Sequence, residues 1–263
     1  MRHHRPTVAD LLSMKGKRQL SMLRVETLEE AEAAERAGVD LVSVPPSLLS
    51  PAFREAAPSV FAFPGLEYGD LVTADEYIRA AFQALKAGGD AVYCAAGLST
   101  VRRMREEGIP VCGHVGLIPS KATWTGGFRA VGKTSVSALE IWRQTRALED
   151  AGAFAAEIEV VPGEVAAAIS ERTSMLMLSM GAGTGCDAQY LFADDVLGAT
   201  KGHVPRHAKI YRNFAVEYDR LQQERIAAFG EFVADVKSGA YPAKSHLVGI
   251  EPAELEAFLQ SLA

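Results

Sequence analysis

The feature that most constrains this chain is an alternation of short apolar runs with longer segments of helical periodicity. Parallel strands need a crossover between neighbours, and a helix is the crossover that covers the sheet face, so the alternation predicts a parallel sheet wrapped by helices. Apolar runs at 20–24, 40–44, 59–63, 91–95, 110–117, 156–161 and 174–180 read as strands. Between them lie helix candidates at 27–37, 73–87, 99–107, 135–151 and 163–172. Thr27 with Glu30 and Thr73 with Glu76 have capping-box spacing, while Gly38 and the pair Gly88 and Gly89 supply stops. Seven such strands in a chain of 263 residues point to a (β/α) barrel, whose strand-exit loops collect on one rim. A long polar helical stretch, 206–237, and a last helix near 251–262 follow. With no repeat or Pro/Gly-rich linker, the expectation is one barrel domain over 1–263, with 206–263 as its C-terminal helical extension.

Charge and composition narrow the partners. Lys and Arg number 27 against 33 Asp and Glu, a formal charge of −6, and such a chain has no general electrostatic attraction to nucleic acid. A hydrophobic fraction of 48% excludes intrinsic disorder. No run of 18 apolar residues occurs, and the basic N-terminal stretch lacks the apolar core of a signal peptide, so neither membrane insertion nor export is expected. Cys94, Cys112 and Cys186 are widely spaced and form no C-x-x-C pair, which suits a reducing cytoplasm.

In a barrel, chemistry is sought at strand ends. His114 lies near the end of the fifth expected strand between Gly113 and Gly116, where a ligand can approach closely; a buried histidine satisfied by backbone is the competing reading. Glu157 and Glu159 alternate on one face of the next strand. An inward carboxylate is costly unless paired or held with a raised pKa, the property a general base or acid needs. Glu159, nearer the rim, is the catalytic candidate, and Glu157 an ion-pair member. The stretch from Gly127 to Thr134 matches the P-loop expression, but a polar segment rather than a buried strand precedes it, and it reads as a glycine-rich loop leading into a helix. The glycine-rich exit from Met180 to Asp187 suits either an anion or an empty tight turn. Asp194, Asp195 and the basic group Lys201, His203, Arg206, His207 and Lys209 match no metal-ligand spacing.

Taken in order, these segments resemble the ketopantoate hydroxymethyltransferase family, whose fold is a (β/α)8 TIM barrel of the phosphoenolpyruvate mutase and isocitrate lyase superfamily. The similarity runs from TVADLLSMK at Thr7 through GIPVCGHVGLIP around His114, GKT at Gly132, EVVP at Glu159 and GAG with Cys186-Asp187, to GAYP and His246. It implies transfer of a hydroxymethyl unit from 5,10-methylenetetrahydrofolate to 2-oxoisovalerate on Mg²⁺, in pantothenate biosynthesis. It also implies a cytoplasmic homo-oligomer acting on a small 2-oxo acid. Carried over by position, Ser47 holds the substrate carboxylate, His114 contacts the keto acid, Glu159 transfers the proton, and Tyr93 stands where the family has a substrate-contacting lysine.

The metal carboxylates are where this chain departs. The aspartate of the family's Gly-Asp-Ser is Pro46 here, that of Asp-Met-Pro aligns with Ala62, and the glutamate of Lys-Leu-Glu with Ala95. The family's extra helix after Ser47 is expected to be missing, replaced by the brief segment 48–58. Without those charges a hard dication loses its usual oxygen ligands. Glu67 and Asp70, just beyond the third strand, are the replacement candidates. A metal-independent barrel enzyme doing proton transfer or carbon–carbon chemistry on another 2-oxo acid, and a non-catalytic binding or assembly homologue, are the alternatives.

Overall fold

The computed structural model describes residues 4–262; Met1–His3, which open the basic N-terminal stretch, and Ala263 lie outside the described residues. Eight parallel strands close in chain order, with the last returning to the first. They are β1 Leu20–Arg24, β2 Leu41–Val44, β3 Phe61–Leu66, β4 Val92–Cys94, β5 Val111–Gly116, β6 Ala155–Glu159, β7 Leu176–Met180 and β8 Ala188–Phe192. The helices are α1 Val8–Met14, α2 Leu28–Ala37, α3 Pro51–Ala56, α4 Ala74–Lys86, α5 Leu98–Glu106, α6 Ala122–Thr125, α7 Ser135–Asp150, α8 Gly163–Ser170, α9 Ala193–Leu197, α10 Phe214–Ser238 and α11 Pro252–Ser261. Two compact units result, one ending at Arg212 and one beginning at Asn213. No helix among the described residues is long and apolar enough to cross a membrane.

Local chemistry explains the boundaries. Thr73 and Glu76 form the expected reciprocal box, and Gly38, at φ 78°, ends α2 in the left-handed region that glycine enters without strain. At α2 the Thr27 hydroxyl caps the Glu30 amide, but the Glu30 carboxylate accepts from Glu26 N–H instead of closing the box. Strand β3 runs further than its apolar run suggests, because Pro64 removes a single donor near the strand end and stays in register with Val44. The segment after Ser47 is not without a helix: α3 forms there, started by Pro51 and the Ser50 cap and held by fully buried Phe53. The stretch 206–213 is not helical, since Tyr211 N–H is drawn to the Val196 carbonyl and α10 begins only at Phe214.

Period-two alternation sorts the barrel residues. Phe61 and Phe63 fill the barrel interior with Leu20, Met22, Leu41, Leu176 and Leu178, whereas Ala62 and Leu66 pack outward against the helices. Full burial of each phenylalanine stabilises the fold by about 2–3 kcal/mol. Leu11 of α1 joins this interior cluster and closes the barrel at the strand starts. The opposite end, where the strands finish, stays polar and open.

Candidate active site

A cavity of about 390 Å³ opens at that end, and every strand contributes to it: Arg24 from β1, Ser43 from β2, Gly65 from β3, Tyr93 from β4, His114 from β5, Glu157 and Glu159 from β6, Met180 from β7 and Tyr190 from β8. Parity dictates this set. Two residues beyond Leu20 and Met22 comes Arg24, and two beyond Phe61 and Phe63 comes Gly65, so both share the inward face. Another cavity of about 420 Å³ lies near the strand starts, but its Lys15 is neutralised by Asp187 at 2.7 Å and it holds no acid–base pair.

His114 is the centre of the arrangement. Its Nε2 lies 3.1 Å from Glu159 Oε2, without the alignment of a hydrogen bond, and its Nδ1 meets the Tyr93 hydroxyl. All three are buried or nearly so. Burial disfavours the imidazolium, but Glu157 and Glu159 outweigh that cost and raise the His114 pKa above its ordinary value. Burial raises Glu157 as well, with the His114 charge opposing. The Tyr93 phenol is pushed well up by burial and then by Glu157. Together they form a buried chain, Glu157 to Tyr93 to His114 to Glu159, whose rim-side end is a carboxylate facing the cavity.

The backbone around Glu159 is tightly constrained. Val160 holds φ at 51°, unusual for a β-branched residue, with its N–H bonded to the Met180 carbonyl and its own carbonyl accepting from Val131. Gly116, at φ 87°, lies so close that a Cβ there would collide with the Glu159 carbonyl oxygen. The P-loop-like stretch therefore serves as a brace, since Val131 belongs to it, and α6 rather than a strand precedes it. The glycine-rich exit of β7 is a turn satisfied from within, with Ser179 Oγ donating to the Gly183 carbonyl at 2.8 Å and accepting from Ala182 N–H.

His114, Glu159 and Tyr93 are thus brought together. Ser47 is not: it sits exposed in the 3₁₀ turn Pro46–Leu48, and Pro46 and Ser43 face the cavity in its neighbourhood. Ala62, aligned with a metal aspartate, is fully buried on the outer face of β3; the cavity position of that strand is Gly65. Glu67 lines the cavity, whereas Asp70 lines a neighbouring groove over α4. Arg24, Ser43 and Tyr190 were not singled out by sequence, although the inward parity of β1 could have found Arg24.

Comparison with known proteins places this geometry. The sequence profile of the Ketopantoate hydroxymethyltransferase family matches residues 50–244. The 3-methyl-2-oxobutanoate hydroxymethyltransferase of Pyrococcus abyssi is 32% identical over 264 residues, covering 91% of both chains. The chain belongs to the ketopantoate hydroxymethyltransferase family. The family member from Thermotoga neapolitana is 34% identical over 266 residues, covering 91% of this chain and 95% of its own. Among solved structures, 2,3-dimethylmalate lyase, a PEP mutase/isocitrate lyase superfamily member, has a TM-score of 0.53 at 14% identity, covering 98% of this chain and all of its own. Phosphonopyruvate hydrolase in complex with oxalate and Mg²⁺ has a TM-score of 0.52 at 14% identity, covering 98% and 97%. These structures establish the barrel type that this ketopantoate hydroxymethyltransferase family member shares.

The family carries an expectation of a divalent metal, and among the described residues the β2–β4 rim offers a single carboxylate, Glu67, where the family has three. Pro46, Gly65 and Ala95 line that rim without a side-chain oxygen, and the Ala95 carbonyl already accepts from Lys121 Nζ at 2.8 Å. His114, Glu157 and Glu159 bring three ligand atoms within 4.8 Å of one another. A metal held there would need that imidazole neutral.

Proposed function

We propose that the protein is a hydroxymethyltransferase of 2-oxo acids, moving a one-carbon unit from 5,10-methylenetetrahydrofolate to 2-oxoisovalerate in pantothenate biosynthesis. The observation that carries this reading is the buried His114–Glu159 pair at the mouth of a barrel of this family. Glu159 takes the C3 proton of the acid, and the C–H electron pair becomes the enolate. His114, whose buried Nε2 has no hydrogen-bond partner among the described residues, offers an N–H to the developing oxyanion. Tyr93 fixes the ring through Nδ1. Water supplies the oxygen of the new hydroxymethyl group: as it adds, the two C–N bonds of the methylene bridge break and take up protons, releasing tetrahydrofolate and formaldehyde. The enolate carbon then attacks formaldehyde, and the C=O electron pair goes to its oxygen, which takes a proton. Family membership supports the folate donor and a homo-oligomer; the site itself speaks only for the acid.

The test is hydrogen exchange at C3 of 2-oxoisovalerate in heavy water, followed by NMR, with Glu159→Gln as the comparison. Exchange by the wild type that this substitution removes supports the reading. Absence of exchange with 2-oxoisovalerate, with or without folate and Mg²⁺, overturns it.

A second reading has one observation in its favour. Replacement of the family's metal carboxylates by Pro46, Ala62 and Ala95 suits a metal-independent enzyme acting on another small 2-oxo acid. Exchange measured across a panel of 2-oxo acids in EDTA separates it from the first.

A further inference from the structure

We propose that Arg24 is the fixed cation of this cavity, receiving the carboxylate of the 2-oxo acid without the help of a metal ion. The inference rests on the reading that the cavity binds such an acid.

An anionic substrate meets a difficult surface here. Glu26, Glu67, Glu157 and Glu159 all line the cavity, and only Arg24 and His114 among its described residues can carry positive charge. His114 is held between carboxylates at the inner wall. Attraction of an acid therefore falls to Arg24, whose guanidinium presents a planar fork matched to a carboxylate.

Its surroundings aim it at a ligand. Arg24 ends β1 facing inward, with its side chain only 22% exposed. Nη1 reaches Ser43 Oγ at 3.3 Å and Nε reaches Glu26 Oε1 at 2.5 Å. Nη2 makes no hydrogen bond among the described residues. Beside it stands Gly65, whose Cβ, if present, would lie 3.5 Å from Nη1, so the missing side chain leaves the guanidinium edge uncovered. Glu26 is about half exposed, and an ion pair of that kind holds its partner weakly. Glu26 thus pairs with the guanidinium and yields it to an incoming carboxylate.

The experiment is calorimetric titration of the full-length protein with 2-oxoisovalerate in EDTA, and with 3-methyl-2-butanone, which keeps the ketone and lacks the carboxylate. Wild type is expected to bind the acid without metal and to prefer it to the ketone. Arg24→Gln should weaken acid binding about ten- to a hundredfold and leave the ketone little changed. Arg24→Lys should fall between, and Glu26→Gln, which leaves Arg24 in place, should tighten acid binding. Circular dichroism melting confirms that each variant folds.

Equal acid affinity in wild type and Arg24→Gln overturns the inference, as does acid binding that depends on added Mg²⁺ or Mn²⁺; neither result touches the proposed transferase reaction. Conversely, Arg24-dependent binding with no C3 exchange supports the inference while removing that reaction. No binding of 2-oxoisovalerate, pyruvate or oxaloacetate under any condition overturns both.

Discussion

His114 and Glu159 face each other at 3.1 Å across the β5–β6 seam, although the strand register pairs His114 with Glu157. The imidazole therefore leans one step toward the rim. Its partner there is Glu159 at the rim, while Glu157, deeper in the same cavity, is a buried electrostatic neighbour.

In the proposed reaction, that lean makes Glu159 the proton acceptor. Glu159→Gln keeps shape and polarity but cannot take a proton, so C3 exchange should fall by about a hundred- to ten-thousandfold. Exchange and thermal midpoint measured on the same sample check this: a rate loss with an unchanged midpoint is the expected outcome.

Stability should depend on pH through the same cluster. His114 and Glu157 both have folded-state pKa values raised above their ordinary 6.5 and 4.5. Each binds its proton more tightly in the folded state, so its contribution is full below those ordinary values and is lost as pH rises through the raised ones. Urea midpoints should decline from mildly acid to alkaline buffer, and His114→Gln should flatten the profile.

Tyr93→Phe removes the hydroxyl that satisfies His114 Nδ1. A buried nitrogen left without a partner costs about 1–3 kcal/mol. A denaturant titration should show that loss, and an NMR titration of the His114 ring should show a changed pKa, since the Tyr93 hydroxyl also stands beside Glu157.

Gly116→Ala tests the backbone support. A methyl group would run into the Glu159 carbonyl oxygen while also forcing alanine to φ 87°. Destabilisation of more than about 1 kcal/mol is expected, with a further loss of C3 exchange as the Glu159 strand shifts. Gly127→Ala, at φ 104° with no atom within 4 Å, is the control for strain without collision.

Much of this architecture is legible in residue order because short-range rules dominate it. Strand β1 and the Thr73-capped helix follow from alternation and capping, and the inward placement of Glu157 and Glu159 from parity alone. Strand β8 escapes the same rules: Ala188–Phe192 is short, contains Gln189, and follows a glycine-rich exit, so nothing local separates it from a loop. Arg24 is obscured for another reason. Followed closely by Glu26 it reads as a solvated charge, and only closure of the barrel brings Ser43 and Gly65 beside it. Ser47 illustrates the reverse case, since a motif transfers residue identity but not side-chain direction, which the 3₁₀ turn here sets outward.

The helix that seats Leu11 among Leu20, Leu41 and Phe61 gives the chamber a blind floor. In the proposed reaction the acid would therefore enter and its product leave through one doorway, at the strand-end rim. A product left at that floor would bar the next acid until it departs.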